Sequence, residues 1–151
     1  MRVEFREKKE NNNLFFMCSL IDCICRLTKN HKNIVVNILG KDMLNKIYEL
    51  ADVYHCEPLE NTAKDFIENF KIPTGSFDCT KNVYYEIPDS YAIGKVYKRL
   101  IIETSQNENL GYIDAAYKIF QSDICNKIED FNSALYYDNA HNIYLFYKET
   151  A

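Results

Sequence analysis

The sequence predicts a mainly α-helical fold, a compact helical bundle of about six to seven helices with one short two-stranded ribbon as a minor addition. Three observations point there. Apolar side chains recur at three- and four-residue intervals along most of the chain, the spacing of one face of a helix. Only 4 glycines and 3 prolines punctuate 151 residues, too few for the many tight turns of a sandwich or barrel. A hydrophobic content of 47% beside 26% charged residues provides a core that disordered chains lack.

Leu14, Met17, Cys18, Ile21, Ile24, Cys25 and Thr28 fall on one helical face, with Asp22 and Arg26 placed to pair at i,i+4. Ile34, Val35, Val36, Ile38 and Leu39 end at Gly40, a residue suited to the position after a helix C-terminus. Met43, Leu44, Ile47, Leu50, Ala51 and Tyr54 repeat at helical period and read as one regular helix. Pro58 is tolerated at the start of the next helix, whose inner face is Leu59, Ala63, Phe66, Ile67 and Phe70; Pro73-Thr74-Gly75 then breaks the pattern.

Residues 71–90 lack a helical period. Asn82 to Ile87 read as a strand, and Arg2 to Arg6, alternating charged with apolar side chains, read as its edge partner. Such a ribbon is marginal in water without helices to cover it. Asp89 or Ser90 can cap a helix that buries Ala92, Ile93, Val96, Tyr97, Leu100 and Ile101, with Gly94 marking a close helix contact. Leu110, Ile113, Ala116, Tyr117 and Phe120 give another helix. Ser122 can cap a short one through Ile124, Cys125 and Ile128, and Asp138 or Asn139 a last one through Ile143, Phe146 and Tyr147. The organisation reads as an N-terminal helical lobe, 11–72, and a C-terminal helical lobe, 88–151, packed as one domain.

Net charge is -4, which disfavours bulk attraction to nucleic acid or anionic membrane without excluding a local basic patch. The apolar run from Leu14 to Cys25 is shorter than the roughly 20 residues needed to cross a bilayer and contains Asp22. No secretory signal fits the acidic N-terminus, so the expected location is cytoplasmic and the six cysteines are expected as free thiols.

Ala51-Asp52-Val53-Tyr54-His55 in the first half, and Gly94-Lys95-Val96-Tyr97-Lys98-Arg99-Leu100-Ile101, Asn132-Ser133 and Tyr136-Tyr137 in the second, resemble phrases in a group of small uncharacterised helical proteins of anaerobic Gram-positive bacteria. The resemblance spans most of residues 11–148. It implies a helical, bacterial, cytoplasmic protein and carries over no activity and no functional residue.

Several constellations invite chemistry. Cys23 and Cys25 are spaced as soft-metal or redox thiols, yet residues i and i+2 point about 200° apart on a helix. His55-Cys56 places a base beside a nucleophile, but adjacency in sequence is weak evidence, and a helix end with His55 against the C-terminal partial charge is the preferred reading. Asp123, Glu129 and Asp130 near Tyr136 and Tyr137 offer carboxylates whose separation nothing fixes. Lys95, Lys98 and Arg99, interleaved with Tyr91 and Tyr97, have the spacing of a solvated outer helix face. No catalytic residue, metal ligand or cofactor is assigned.

Two interaction readings remain. Ten of the 12 tyrosines follow residue 83, and tyrosine is enriched at protein interfaces. Tyr84, Tyr85, Tyr112, Tyr136, Tyr137 and Tyr144 are therefore expected to be partly exposed together, as the face for a protein partner or self-association. The alternative is a nucleic-acid-associated regulator using a helix-turn-helix-like segment at residues 26–54. Its anion contacts would come from Arg26, Lys29, Lys32, Lys41 and Lys46, opposed up to Tyr48 by Asp42 alone. That reading is weakened by a recognition helix that offers base edges little beyond Asn45, Lys46 and Glu49.

Overall fold

The computed structural model describes residues 2–150, with side chains described from 9 to 149. It is helical throughout its regular parts, and no strand occurs among the described residues. The elements are α1 (Arg2–Thr28), α2 (Lys32–Leu39), α3 (Lys41–Glu49), α4 (Ala51–Tyr54), α5 (Leu59–Phe70), α6 (Ser90–Glu108), α7 (Tyr112–Gln121), α8 (Ile124–Ile128), a 3-10 turn (Leu135–Tyr137) and α9 (Ala140–Thr150).

α1 is the axis around which the others pack, with α6 along one side and α5 along another, and α2, α3 and α4 also against it. Its expected apolar stripe is buried, but so are Phe16, Ser19, Leu20 and Asp22. A helix apolar nearly all round belongs at the centre of a protein, which is what the run from Leu14 to Ile21, broken only by the small Ser19, encodes. One continuous core joins α1 to residues of all the other α-helices, from Val35 and Val36 to Ile143 and Tyr147.

Where α1 meets α6, Gly94 faces Ser19. A β-carbon at Gly94 would lie 2.2 Å from the Ser19 hydroxyl and 3.0 Å from its Cα and backbone nitrogen. Absence of a side chain thus sets the spacing of the two longest helices, as the sequence anticipated. Gly40, at φ +82°, is the single residue between α2 and α3, a backbone conformation that L side chains seldom adopt.

The structure departs from expectation at three places. The regular repeat from Met43 to Tyr54 bends at Leu50, φ -103° and ψ 20°, so that α3 and α4 are separate. This bend divides one expected helix into two. The ribbon does not form: α1 extends through the Arg2 to Arg6 segment, uninterrupted by Gly or Pro. Asn82 to Ile87 are irregular, and there Asn132 takes the role of a strand partner, accepting from the Tyr84 backbone N–H at 2.9 Å and donating to the Asn82 carbonyl at 2.9 Å.

Helix ends follow local chemistry. Asp89 caps α6 by accepting from Ala92 N–H at 2.8 Å, and Asn139 caps α9 by accepting from Asn142 N–H at 2.8 Å. Ser122 instead turns back to the Ile119 carbonyl, leaving Asp123 at the start of α8.

Between α5 and α6 runs a 19-residue connection, 71–89, without regular structure. Connections this long in a small domain are uncommon and are usually functional or disordered. This one is pinned to the end of α1: Gly75 and Phe77 donate backbone N–H to the carbonyls of Thr28 (2.7 Å) and Lys29 (2.9 Å). Asn30 donates to the Pro73 carbonyl at 2.7 Å, and Phe77 stacks on His31 with ring centroids 3.8 Å apart. Asn132 anchors its far end.

Candidate functional site

The six tyrosines divide into two groups. Tyr84, Tyr85 and Tyr137 are 84%, 69% and 76% exposed. Tyr136, half-buried, packs edge-on against Phe131 and lies 4.2 Å, centroid to centroid, from Tyr137. The Asn132 clamp brings the 82–86 strand of loop beside the 132–137 segment. Hydrogen bonding with Tyr137, with burial and the nearby Glu86 carboxylate adding to it, pushes the Tyr136 phenol up to about 12. Exposed tyrosines thus stand on two segments that Asn132 ties together.

Tyr144 and Tyr112 lie elsewhere. Tyr144, expected to be exposed, is 7% exposed and donates to Glu108 at 3.1 Å. Successive helical residues turn by about 100°, and α9 turns Ile143, Tyr144 and Tyr147 inward while Phe146 points out. Tyr112 is half-buried, edge-on to Tyr48 and within 3.3 Å of Asn11.

Beside the 132–137 segment is a cleft of about 440 Å³ lined by Lys127, Asp130, Leu135, Asp138 and Phe146, with the Lys127 ammonium 5.7 Å from the Phe146 ring centre. Glu86, Asp89, Asp123, Asp130 and Asp138 are all exposed around these segments, against Lys81 and Lys127. Exposed acidic side chains thus outnumber basic ones on these segments.

The basic set is dispersed. Lys32, expected on the surface, is 1% exposed. Its ammonium donates to Asp22 Oδ1 and to Glu129 Oε1, both at 2.8 Å, and lies 5.5 Å from the Tyr97 ring centre. Burial alone would lower the Lys32 pKa; the two carboxylates outweigh it and hold it well above 10.5. Arg26 pairs with Asp22 Oδ2 at 2.7 Å, as its i,i+4 spacing implied, and lies over the Phe131 ring. Lys41 pairs with Asp114 at 3.0 Å. Lys29 and Lys46 are exposed. Within the 26–54 segment, the turn between α2 and α3 is the single residue Gly40, shorter than the three to four residues usual in a helix-turn-helix. Asn45 is bonded to Glu49.

Sequence reasoning missed the network built on Lys32. Glu129 also accepts from the Tyr97 hydroxyl at 2.8 Å, and burial, followed by the neighbouring Cys125 and Glu129, drives the Tyr97 pKa well above 10. Two cations and two carboxylates from α1, α2 and the end of α8 therefore balance in the interior. The only signal was Asp22, an acid inside an apolar run. Each carboxylate is paired with a cation and Glu129 also with Tyr97, while the buried Arg26 Nη2 meets no hydrogen-bond partner among the described residues.

The thiols are structural, with one exception. Cys18, Cys25 and Cys125 are buried, Cys23 and Cys79 half-buried, and Cys56 exposed, all of them free. Burial raises Cys23 and Cys79 to about 11 and Cys125 to about 12, which disfavours the nucleophilic thiolate. At the end of α4, His55 Nδ1 lies 2.9 Å from the Asp52 carbonyl, and the Cys56 thiol donates to the same carbonyl at 3.4 Å. Imidazole and thiol share an acceptor and no bond between them is formed. Among the described residues no group of three His, Cys, Asp or Glu side chains could hold a metal ion, and no helix is long and apolar enough to cross a membrane. The chain matches no protein-family model, no curated protein and no solved structure.

Proposed function

We propose that the protein is a cytoplasmic, bacterial protein-binding module that presents the face formed by Tyr84, Tyr85, Tyr136 and Tyr137 to a partner protein. The observation that carries this reading is the joint exposure of Tyr84, Tyr85 and Tyr137 on two segments held together by Asn132. Tyrosine offers large amphipathic area at low side-chain entropy cost, and pinned loops are where binding surfaces concentrate.

The acidic excess selects the occupant. A second copy would bring like charges together, whereas a basic segment of another protein would meet Glu86, Asp130 and Asp138 with opposite charge. Arginine suits it best, since its guanidinium stacks on tyrosine and pairs with carboxylates. The nucleic-acid reading has less support, because Lys32 is interior and Lys41 is paired.

A random-peptide display selection against the full chain tests this. The expected enrichment is in arginine flanked by apolar residues, lost when Tyr84, Tyr85 and Tyr137 are all changed to serine. Enrichment that survives the triple change, or none at all, contradicts the reading.

A further inference from the structure

A second cleft, of about 390 Å³, lies between the N-terminal half of α1, α4 and the first turn of α6. Its walls include the rings of Phe15 and Tyr91, whose centroids are 6.0 Å apart and inclined by 39°. Its charged lining is Asp52 and Glu57, and neither Lys nor Arg lines it among the described residues. Asn13, 9% exposed, also lines it. The surroundings reinforce the sign: from Glu49 to Phe70 the chain carries six acidic residues against Lys64 alone.

Two aromatic rings beside two carboxylates make up the chemistry that recognises alkylated ammonium groups. The ring faces attract the cation, the methyl groups fill apolar space that a hydrated inorganic ion would not, and the carboxylates supply counter-charge. An anion would meet Asp52 and Glu57 without compensation. Two protein cations already sample this environment: Lys98 lies 5.9 Å from the Phe15 ring centre, and Lys9 reaches Asp52 at 3.3 Å from outside the lining.

We propose that this cleft binds a small organic cation, with its alkylated ammonium group against Phe15 and Tyr91, Asp52 and Glu57 as counter-charges, and Asn13 bonding a polar group on the ligand. The site is independent of the tyrosine face, on other elements and with other residues.

The test is a titration of the full chain with choline, followed by NMR, against 3,3-dimethylbutan-1-ol, the uncharged molecule of nearly the same shape. Choline is expected to saturate, with the largest shifts at Tyr91 and His55, and to bind roughly tenfold or more tightly than the alcohol. Tyr91→Leu, and separately Asp52→Asn with Glu57→Gln, each weaken choline by about tenfold. These positions are exposed, and circular dichroism verifies the helical fold of each variant. Equal binding of choline and the alcohol, choline binding unchanged in both variants, or no saturable binding of choline overturns the proposal.

Discussion

The Lys32 ammonium lies 2.8 Å from Glu129 Oε1, joining the start of α2 to the end of α8 across 97 residues of sequence, and both side chains are almost completely buried. With Asp22 on its other side, Lys32 is the cation that makes two interior carboxylates tolerable. Removing one member leaves an uncompensated buried charge. Lys32→Met or Glu129→Leu should each destabilise the protein by about 3–5 kcal/mol. In a double-mutant cycle by urea unfolding, the pair should lose much less than the sum of the single changes. Additive losses would show that the two groups do not interact.

Tyr97→Phe isolates the hydroxyl. It removes the 2.8 Å bond to Glu129 while keeping the ring that packs on Phe120. The expected loss is about 1–3 kcal/mol, measured by the same unfolding method. A neutral substitution would mean that Glu129 does not need this donor.

The interior titratable groups set an alkaline limit. Lys32 and Tyr97 have pKa values raised on folding, the first by its carboxylates against burial, the second by burial, Cys125 and Glu129. Burial similarly takes Cys125 to about 12. In each case the folded state holds its proton more tightly. The associated stability is fully present below the unfolded pKa values, about 8.5 for Cys and about 10 for Tyr and Lys. It is lost progressively as pH rises above them toward the folded values. Melting temperature should therefore fall steadily from about pH 9 upward, and Lys32→Met and Tyr97→Phe should flatten the slope above about pH 10.

Gly94→Ala tests the α1–α6 approach. The added carbon meets Ser19 backbone atoms at 3.0 Å as well as its hydroxyl, and backbone in the middle of a central helix yields little. A loss of about 1–3 kcal/mol is expected, and Ser19→Gly beside it should recover only the part due to the hydroxyl.

Thiol accessibility separates Cys56 from the rest. In the native protein at neutral pH, Ellman's reagent should label one thiol quickly, Cys56, and the buried Cys18, Cys25 and Cys125 only on unfolding. Cys56 should react no faster than an exposed model thiol. A much faster rate would revive the His55-Cys56 nucleophile that the shared Asp52 carbonyl argues against.

Local chemistry was legible wherever partners are close in sequence. The α1 face, the Asp22–Arg26 pair, Gly40 between two helices and the Asp89 and Asn139 caps are all written within a few residues of where they act. Lys32 was not legible, because a lysine at a helix start is ordinarily solvated and its partners lie 10 and 97 residues away. Tyr144 and Phe146 exchanged places for a similar reason: both fit an amphipathic stripe, and the choice rests on Glu108 of α6. The aromatic face was half legible. Composition pointed to tyrosine exposure, but only the Asn132 clamp ties the segment of Tyr84 and Tyr85 to that of Tyr136 and Tyr137, while Tyr112 stays apart.

The proposed role stands or falls on whether this aromatic face, rather than another apolar patch, carries binding. Calorimetric titration of an arginine-containing peptide from the display selection decides it, using the native chain, the Tyr84→Ser/Tyr85→Ser/Tyr137→Ser variant, and a Leu50→Ser/Val53→Ser control at the exposed α3–α4 bend. Loss of binding in the tyrosine variant with native affinity in the control is the result expected. Undiminished binding in the tyrosine variant, or equal loss in both, would contradict it.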